Sequence, residues 1–158
     1  MYPEIKILSG KTLIGKRTTT SLANNKTGEL WKSFMPSRSE IKNVISTDLF
    51  SLQTYDADYF KTFNPTLAFE KWALVEVSNT NDIPNEMEVF NLSGGLYAVF
   101  HYKGSNTDFS IFNYVFSEWL PNSEYVLDNR PHFEILGANY KNNDPDSEEE
   151  IWIPIKKK

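Results

Sequence analysis

Apolar and polar positions along the chain run through the same order twice, at a spacing of about 84 residues. Leu8-Ser9-Gly10 returns as Leu92-Ser93-Gly94, and each copy leads into a strand-like run, a helix-like run and two further extended segments. Lys6 to Leu22 reads as an extended pair of short strands, with Gly10 and Gly15 marking a turn and a bend and Thr18-Thr19-Thr20 adding β-branched residues. Leu30, Trp31, Phe34 and Met35 then fall on one helical face, ending near Pro36 with a loose turn toward Ile41. Residues 50–56 and 67–78 read as strands around a loop closed by Asn64-Pro65, and the polar stretch Asn79 to Asn85 separates the copies.

In the second copy, 86–92 and 95–102 read as strands around Ser93-Gly94-Gly95. A helix is expected from Thr107-Asp108, where an acidic cap suits exposed amides and the helix dipole. Phe109, Phe112, Val115, Phe116 and Trp119 form its buried stripe, and Leu120-Pro121 stops it. Strands follow at 125–127, 131–137 and 150–156, with a polar surface loop between the last two at Lys141 to Glu148. The expectation is one α+β domain, 1–158, made of strand-helix-strand-strand units at about 1–84 and 85–158. A seam between such units is a natural place for a pocket.

At 158 residues the chain is long enough to remove roughly 70% of its unfolded surface from water. Aromatic residues make up 15%, enough to wall a cavity as well as fill a β-rich core. The absence of cysteine excludes a disulfide scaffold, thiolate metal ligation and a cysteine nucleophile. No apolar run approaches the length of a membrane span, and the first residues lack the pattern of a signal peptide, so a soluble cytoplasmic protein without membrane association is expected. Net charge is −5, with the acidity in the second half: residues 1–84 carry 10 basic and 9 acidic side chains, 85–158 carry 6 and 12. That balance opposes direct nucleic-acid binding, which needs a basic footprint to displace counterions.

Several motifs fail on their own chemistry. Asp144-Pro145-Asp146 with Glu148 lacks the glycine of a calcium loop. His132-Phe133-Glu134 has the first half of a zinc deaminase signature but no cysteines to complete it. Gly94-Gly95 has the wrong spacing for a phosphate cradle, and no nucleophile elbow is present. No cofactor, metal or catalytic residue is expected.

Glu134 remains, a carboxylate inside the otherwise apolar strand His132-Phe133-Glu134-Ile135-Leu136. Alternation sets it on the face opposite Phe133 and Ile135. The last strand has Ile151, Ile153 and Ile155 on one face and Glu150, Trp152 and Pro154 on the other. If the isoleucines pack with Phe133, Glu134 and Trp152 share the second face, where a carboxylate beside an indole would attract a positive ligand. If that face meets solvent, Glu134 is an ordinary strand glutamate.

Four stretches carry a family resemblance: Gly95-Leu96-Tyr97-Ala98-Val99-Phe100-His101-Tyr102-Lys103-Gly104, Phe116-Ser117-Glu118-Trp119-Leu120-Pro121-Asn122-Ser123, Arg130-Pro131-His132-Phe133-Glu134, and Asp144 to Ile155. With Glu29 to Pro36 and Ile41-Lys42-Asn43, they resemble the GyrI-like small-molecule-binding domain, the effector-binding module of AraC- and MerR-type bacterial transcription activators. The resemblance implies two helices over a curved antiparallel sheet and a ligand channel between the halves. It implies that Glu134 projects into the pocket toward lipophilic cations, with Trp119, Trp152 and Tyr97 as aromatic neighbours. Such activators also carry a helix-turn-helix domain, for which this chain leaves no room ahead of Ile5, so a stand-alone sensor or sequestering protein is expected, with any protein partner unspecified. The resemblance also admits a hydrolase of strained electrophiles, which would need Glu134 and Tyr97 to converge on one substrate atom, and a gyrase-modulating interaction protein. A further reading presents the acidic stretch 144–150 to a basic partner.

Overall fold

The computed structural model describes residues 2–158. Nine strands form one antiparallel, curved and unclosed sheet: β1 (Glu4–Leu8), β2 (Lys11–Thr20), β3 (Leu49–Thr54), β4 (Phe69–Glu76), β5 (Glu88–Leu92), β6 (Gly95–Lys103), β7 (Tyr125–Leu127), β8 (His132–Leu136) and β9 (Glu148–Lys157). Helix α1 (Thr27–Ser37) lies in the first half; α2 (Ser110–Tyr114), a π-helical turn (Val115–Trp119) and α3 (Leu120–Asn122) make one continuous helical rod in the second. Among the described residues no helix is long and apolar enough to cross a membrane.

The strand order is β1-β6-β9-β8-β3-β4-β2-β5, with β7 added alongside β9. Exchanging β1 with β5, β2 with β6, β3 with β8 and β4 with β9 reverses that order and leaves it otherwise unchanged. The approximate twofold passes through the centre of the β3–β8 ladder, where Ser51 lies opposite Glu134. The sequence repeat survives in the register: Leu8 pairs with Gly95 across β1–β6, and Lys11 with Leu92 across β2–β5.

The Leu-Ser-Gly repeat has a steric cause. The β1–β2 and β5–β6 connections cross at close quarters: a Cβ on Gly94 would collide with the Leu8 carbonyl, and one on Gly10 would sit 3.3 Å from the Leu92 carbonyl oxygen. Glycine lets the two backbones touch. Gly15, read from sequence as a bend, lies within β2 for the same reason, since a side chain there would strike the Ala73 carbonyl.

The sheet buries both faces. On the helix-free face Leu13, Phe50, Leu52, Trp72, Tyr97, Phe133 and Trp152 form a core drawn from both halves, sealed by the sheet's own curvature. On the other face α1 seats Leu30 and Phe34 over Ile14, Ala73 and Val75, while the second rod seats Ile111 and Val115 over Phe100, Ile151 and Ile153. Met35, expected on the buried stripe of α1, is 41% exposed. Pro36 is inside the helix, which continues one residue further and tightens into a 3₁₀ turn at Arg38–Glu40 before buried Ile41. The second rod starts at Ser110, whose amide donates to Asp108 Oδ1 at 3.0 Å, and it runs one residue past Pro121 to Asn122, beyond the stop expected at Leu120-Pro121. Strand β9 begins at Glu148, earlier than the polar pattern suggested, and this carries Glu149 into the sheet.

Phe133 is fully buried and stacks on Trp152 at 5.2 Å. Phe133→Ala should lower unfolding free energy by about 3–5 kcal/mol, read from urea titrations that follow tryptophan fluorescence.

Candidate functional site between the two helices

Register decides which residues meet. Phe133 pairs with Trp152 and Glu134 with Ile151. Glu134 therefore shares the helix-side face with the isoleucines of β9, and Trp152 belongs to the opposite face with Phe133. This corrects the expectation that Glu134 and Trp152 stand together: alternation is legible within each strand, but the pairing between strands is not. The indole does meet a carboxylate, that of Glu150, to which Trp152 Nε1 donates at 3.0 Å, and Lys6 Nζ lies 5.8 Å from the ring centroid. The cation at that indole is the protein's own.

Tyr97 also lies on the helix-free face, against Phe133 and Trp152. Its hydroxyl donates to the Pro131 carbonyl at 2.8 Å, and the Arg130 guanidinium sits 4.7 Å from its ring centroid. Burial pushes its pKa up to about 12 against the opposing pull of Arg130. Tyr97 and Glu134 thus point to opposite sides of the sheet and do not converge. Trp119 is on Glu134's side but packs edge-on to Phe100 at 5.4 Å and stacks with Tyr125 at 6.4 Å. Of the four candidates, Glu134 alone stands at the axis between the helices.

Around Glu134 the structure gathers residues that strand patterning had passed over. Gln53, two positions along β3 from Ser51 and so on the same face, donates from Nε2 to Glu134 Oε2 at 3.1 Å. Tyr55 follows on that face just beyond β3. His132 lies directly opposite Gln53 on β8 and meets Tyr55 edge-on at 4.9 Å. The loop after β3 returns Phe60, which lies nearly parallel to His132 at 5.3 Å and to Phe116 of the π-helical turn at 5.5 Å. Tyr59 and Phe69 close the group at 4.6 and 5.1 Å from Tyr55. Phe116, rather than Trp119, is the aromatic side chain that the second rod sends into this cluster. A π turn offsets the side chains after it from α-helical spacing, a device common at functional sites.

An open cavity of about 250 Å³ adjoins the cluster, lined by Tyr55, Phe60 and His132 on one side and by Asp56, Asp128 and Arg130 at its polar rim. Glu134 does not line it; Tyr55 and His132 stand at the cavity wall and also flank Glu134 along their strands. A shallow hollow of about 260 Å³ at Lys11 and Asn91 lies on the far β2–β5 edge, remote from these groups.

Charge is distributed in a second layer. Lys71 is only 7% exposed. Burial lowers its pKa, and Glu134 and then Glu149 hold it up. Glu149 is pushed up to about 7, by burial first and then by Glu134, with Lys71 opposing. Tyr55 is raised well above the ordinary phenol value, by burial and then by Glu134 and Tyr59, and stays a neutral hydroxyl. His132 falls to about 3 through burial and then Arg130, so its ring is uncharged at neutral pH. The aromatic group is therefore electrically quiet, and the charges belong to Glu134, Glu149 and Lys71. A polar residue inside a strand's apolar stretch was the available signal for Lys71. Glu149 was hidden because its neighbourhood reads as a solvated acidic loop; the inward turn of β9 also removes this carboxylate from any acidic surface offered to a partner.

The arrangement is an α+β sheet with two helices flanking a carboxylate on its approximate twofold. The chain belongs to the GyrI-like family: the model of the GyrI-like small molecule binding domain matches residues 1–156. No curated protein matches the sequence at a significant level. Among solved structures, SAV2435 bound to tetraphenylphosphonium superposes with a TM-score of 0.69 at 17% identity, covering 99% of this chain and 94% of that one. The EcmrR C-terminal domain also superposes with a TM-score of 0.69, at 13% identity over 100% and 99% of the chains. A hydrolase encoded by lin2189 from Listeria innocua reaches 0.62 at 9% identity over 98% and 92%.

Glu149 has a folded pKa near 7 against an ordinary 4.5. A carboxyl raised in this way supports the fold fully below its unfolded pKa, and that support is lost as pH rises through 7. Glu149→Gln, which mimics the protonated form, should raise unfolding free energy at pH 8 by about 1–2 kcal/mol after allowance for partial solvent contact, and should change it little at pH 4. Denaturant titrations at the two pH values measure this; equal effects at both would show that the carboxyl is not destabilised by its surroundings.

Proposed function

We propose that this chain binds a small amphipathic organic cation without transforming it, as a sensor or sequestering protein. The observation that carries this reading is the pairing of Glu134 with uncharged aromatic walls. The carboxylate sits on the approximate twofold, with Tyr55 and neutral His132 flanking it and Phe60 and Phe116 packed against the His132 ring. Such a site suits a lipophilic cation in two ways. Ring faces attract positive charge and exclude water, and a half-buried carboxylate gives the charge a partner whose attraction is less screened than at an open surface. The same set offers a neutral ligand only the apolar part. Tetraphenylphosphonium on SAV2435, a structural neighbour, supports this choice of ligand class.

Phe60 has a part in access. Its ring packs against both His132 and Phe116, which also meet each other at 6.4 Å, yet it is 43% exposed and belongs to the loop following β3. Phe60 also lines the adjoining cavity, so a bulky ligand passing from there toward Glu134 would displace it.

Tetraphenylphosphonium is the probe of choice. Glu134→Gln should weaken it by roughly 1–3 kcal/mol, about 5- to 150-fold, while leaving a neutral analogue such as triphenylphosphine oxide nearly unaffected. Calorimetry on both variants decides the matter: equal losses for the two ligands, or none for the cation, would remove Glu134 as the counter-charge.

A further inference from the structure

The approximate twofold relates more than strands. In the β3–β4 ladder Phe50 lies opposite Leu74, and in the β8–β9 ladder Phe133 lies opposite Trp152. Phe50 and Phe133 occupy matching places, each one residue before the axial pair of Ser51 and Glu134. Lys71 and Glu149, each three residues before those partners, are therefore symmetry counterparts. Both face the helices, flanking the axial carboxylate from opposite sides, one basic and one acidic. Duplication has produced a charged triplet in which each half contributes one flank, and only the second half contributes the centre.

The placement has a consequence for charge balance. A poorly hydrated set of ionisable groups is most stable when its net charge is zero. With Lys71 as the internal cation, Glu134 alone balances it, and Glu149 is the surplus carboxyl. We propose that Glu149 is a proton-coupled specificity residue: a monocation entering beside Glu134 is balanced by loss of the Glu149 carboxyl proton to solvent, so that ligand and proton compete for the site. The inference rests on the cation-binding reading above and deepens it. The step is a simple exchange, in which one positive charge enters, one proton leaves, and the triplet with its ligand stays neutral.

Other groups facing Glu149 fit this role. Tyr102 lies opposite it on β6 with its hydroxyl donated to the Ser105 carbonyl, and Tyr140 approaches from the loop after β8. Both phenols are raised above their ordinary value, in each case by burial first, so neither supplies a competing proton near neutrality. Lys71 and Glu134 are the charged groups acting on Glu149, and the pKa of about 7 set by burial and these neighbours places the exchange in the neutral range.

Tetraphenylphosphonium binding to the intact chain, followed by calorimetry in buffers of different ionisation enthalpy at pH 6, 7 and 8, tests the proposal. The wild type should release close to one proton per ligand at pH 6 and little at pH 8, with affinity about tenfold weaker at pH 6. Glu149→Gln should release none and bind with pH-independent affinity, below that of the wild type at pH 8. Lys71→Met should also release none, because the carboxyl then stays protonated on both sides of the reaction, and should bind more tightly than the wild type at pH 6. Wild-type binding without proton release, or release that persists in Glu149→Gln, would overturn the coupling and leave the cation-binding reading standing. Weaker binding by Lys71→Met at pH 6 would overturn the role of the lysine, and absence of wild-type binding at pH 8 would overturn both readings.

Discussion

The β3–β8 ladder is the constraint on which the molecule turns. It joins the two halves at the symmetry axis, while the β1–β6 and β2–β5 ladders join them again toward the edges of the sheet, and each half carries one helix. Because the β3–β8 ladder is antiparallel and centred on Ser51 and Glu134, the side chains of that pair lie at the symmetry axis, between the two helical clusters. A serine from one half leaves room there, and a glutamate from the other supplies charge. An identical residue in both copies would have crowded the axis or doubled the charge at the place where the two halves must pair.

Backbone crowding on the other side of the curved sheet sets its shape. The two Leu-Ser-Gly connections touch there, and glycine at Gly10 and Gly94 lets the sheet curl far enough to seal an aromatic core without a covering helix. Curvature thus leaves one sheet face for stability and the helix-side strip along the axis for polar groups. Gln53, Lys71, Glu134 and Glu149 occupy that strip. These are groups that a core optimised only for stability would not contain, since each loses hydration on folding. Their cost is offset by the apolar packing that surrounds them, and their concentration along one line marks the functional axis.

Much of this organisation could be read from the chain. The repeat, the strand and helix order, the α+β class and the family were all visible in residue patterning and motifs, and Glu134 stood out as a carboxylate within an apolar strand. The assembly of its surroundings was not visible. Trp152 and Tyr97, expected beside Glu134, lie across the sheet, whereas Tyr55, Phe60, Phe116, Lys71 and Glu149 come from loops, strands and the second helical rod, whose local patterns give no hint of a shared site. Phe60 in particular follows a polar loop, and its packing against His132 depends on where that loop returns.

What the sequence by itself determined is therefore local: periodicity names the element, alternation names the two faces of a strand, and glycine marks where backbones approach. What only the tertiary structure decided is which face meets which. A side-chain period of two makes the faces of neighbouring strands interchangeable until hydrogen-bond register aligns them, and a shift of one residue would have brought Trp152 beside Glu134. The observed pairing of Phe133 with Trp152 places Ile151 there instead, and it leaves Glu134 to be partnered by Gln53 and balanced by Lys71 and Glu149.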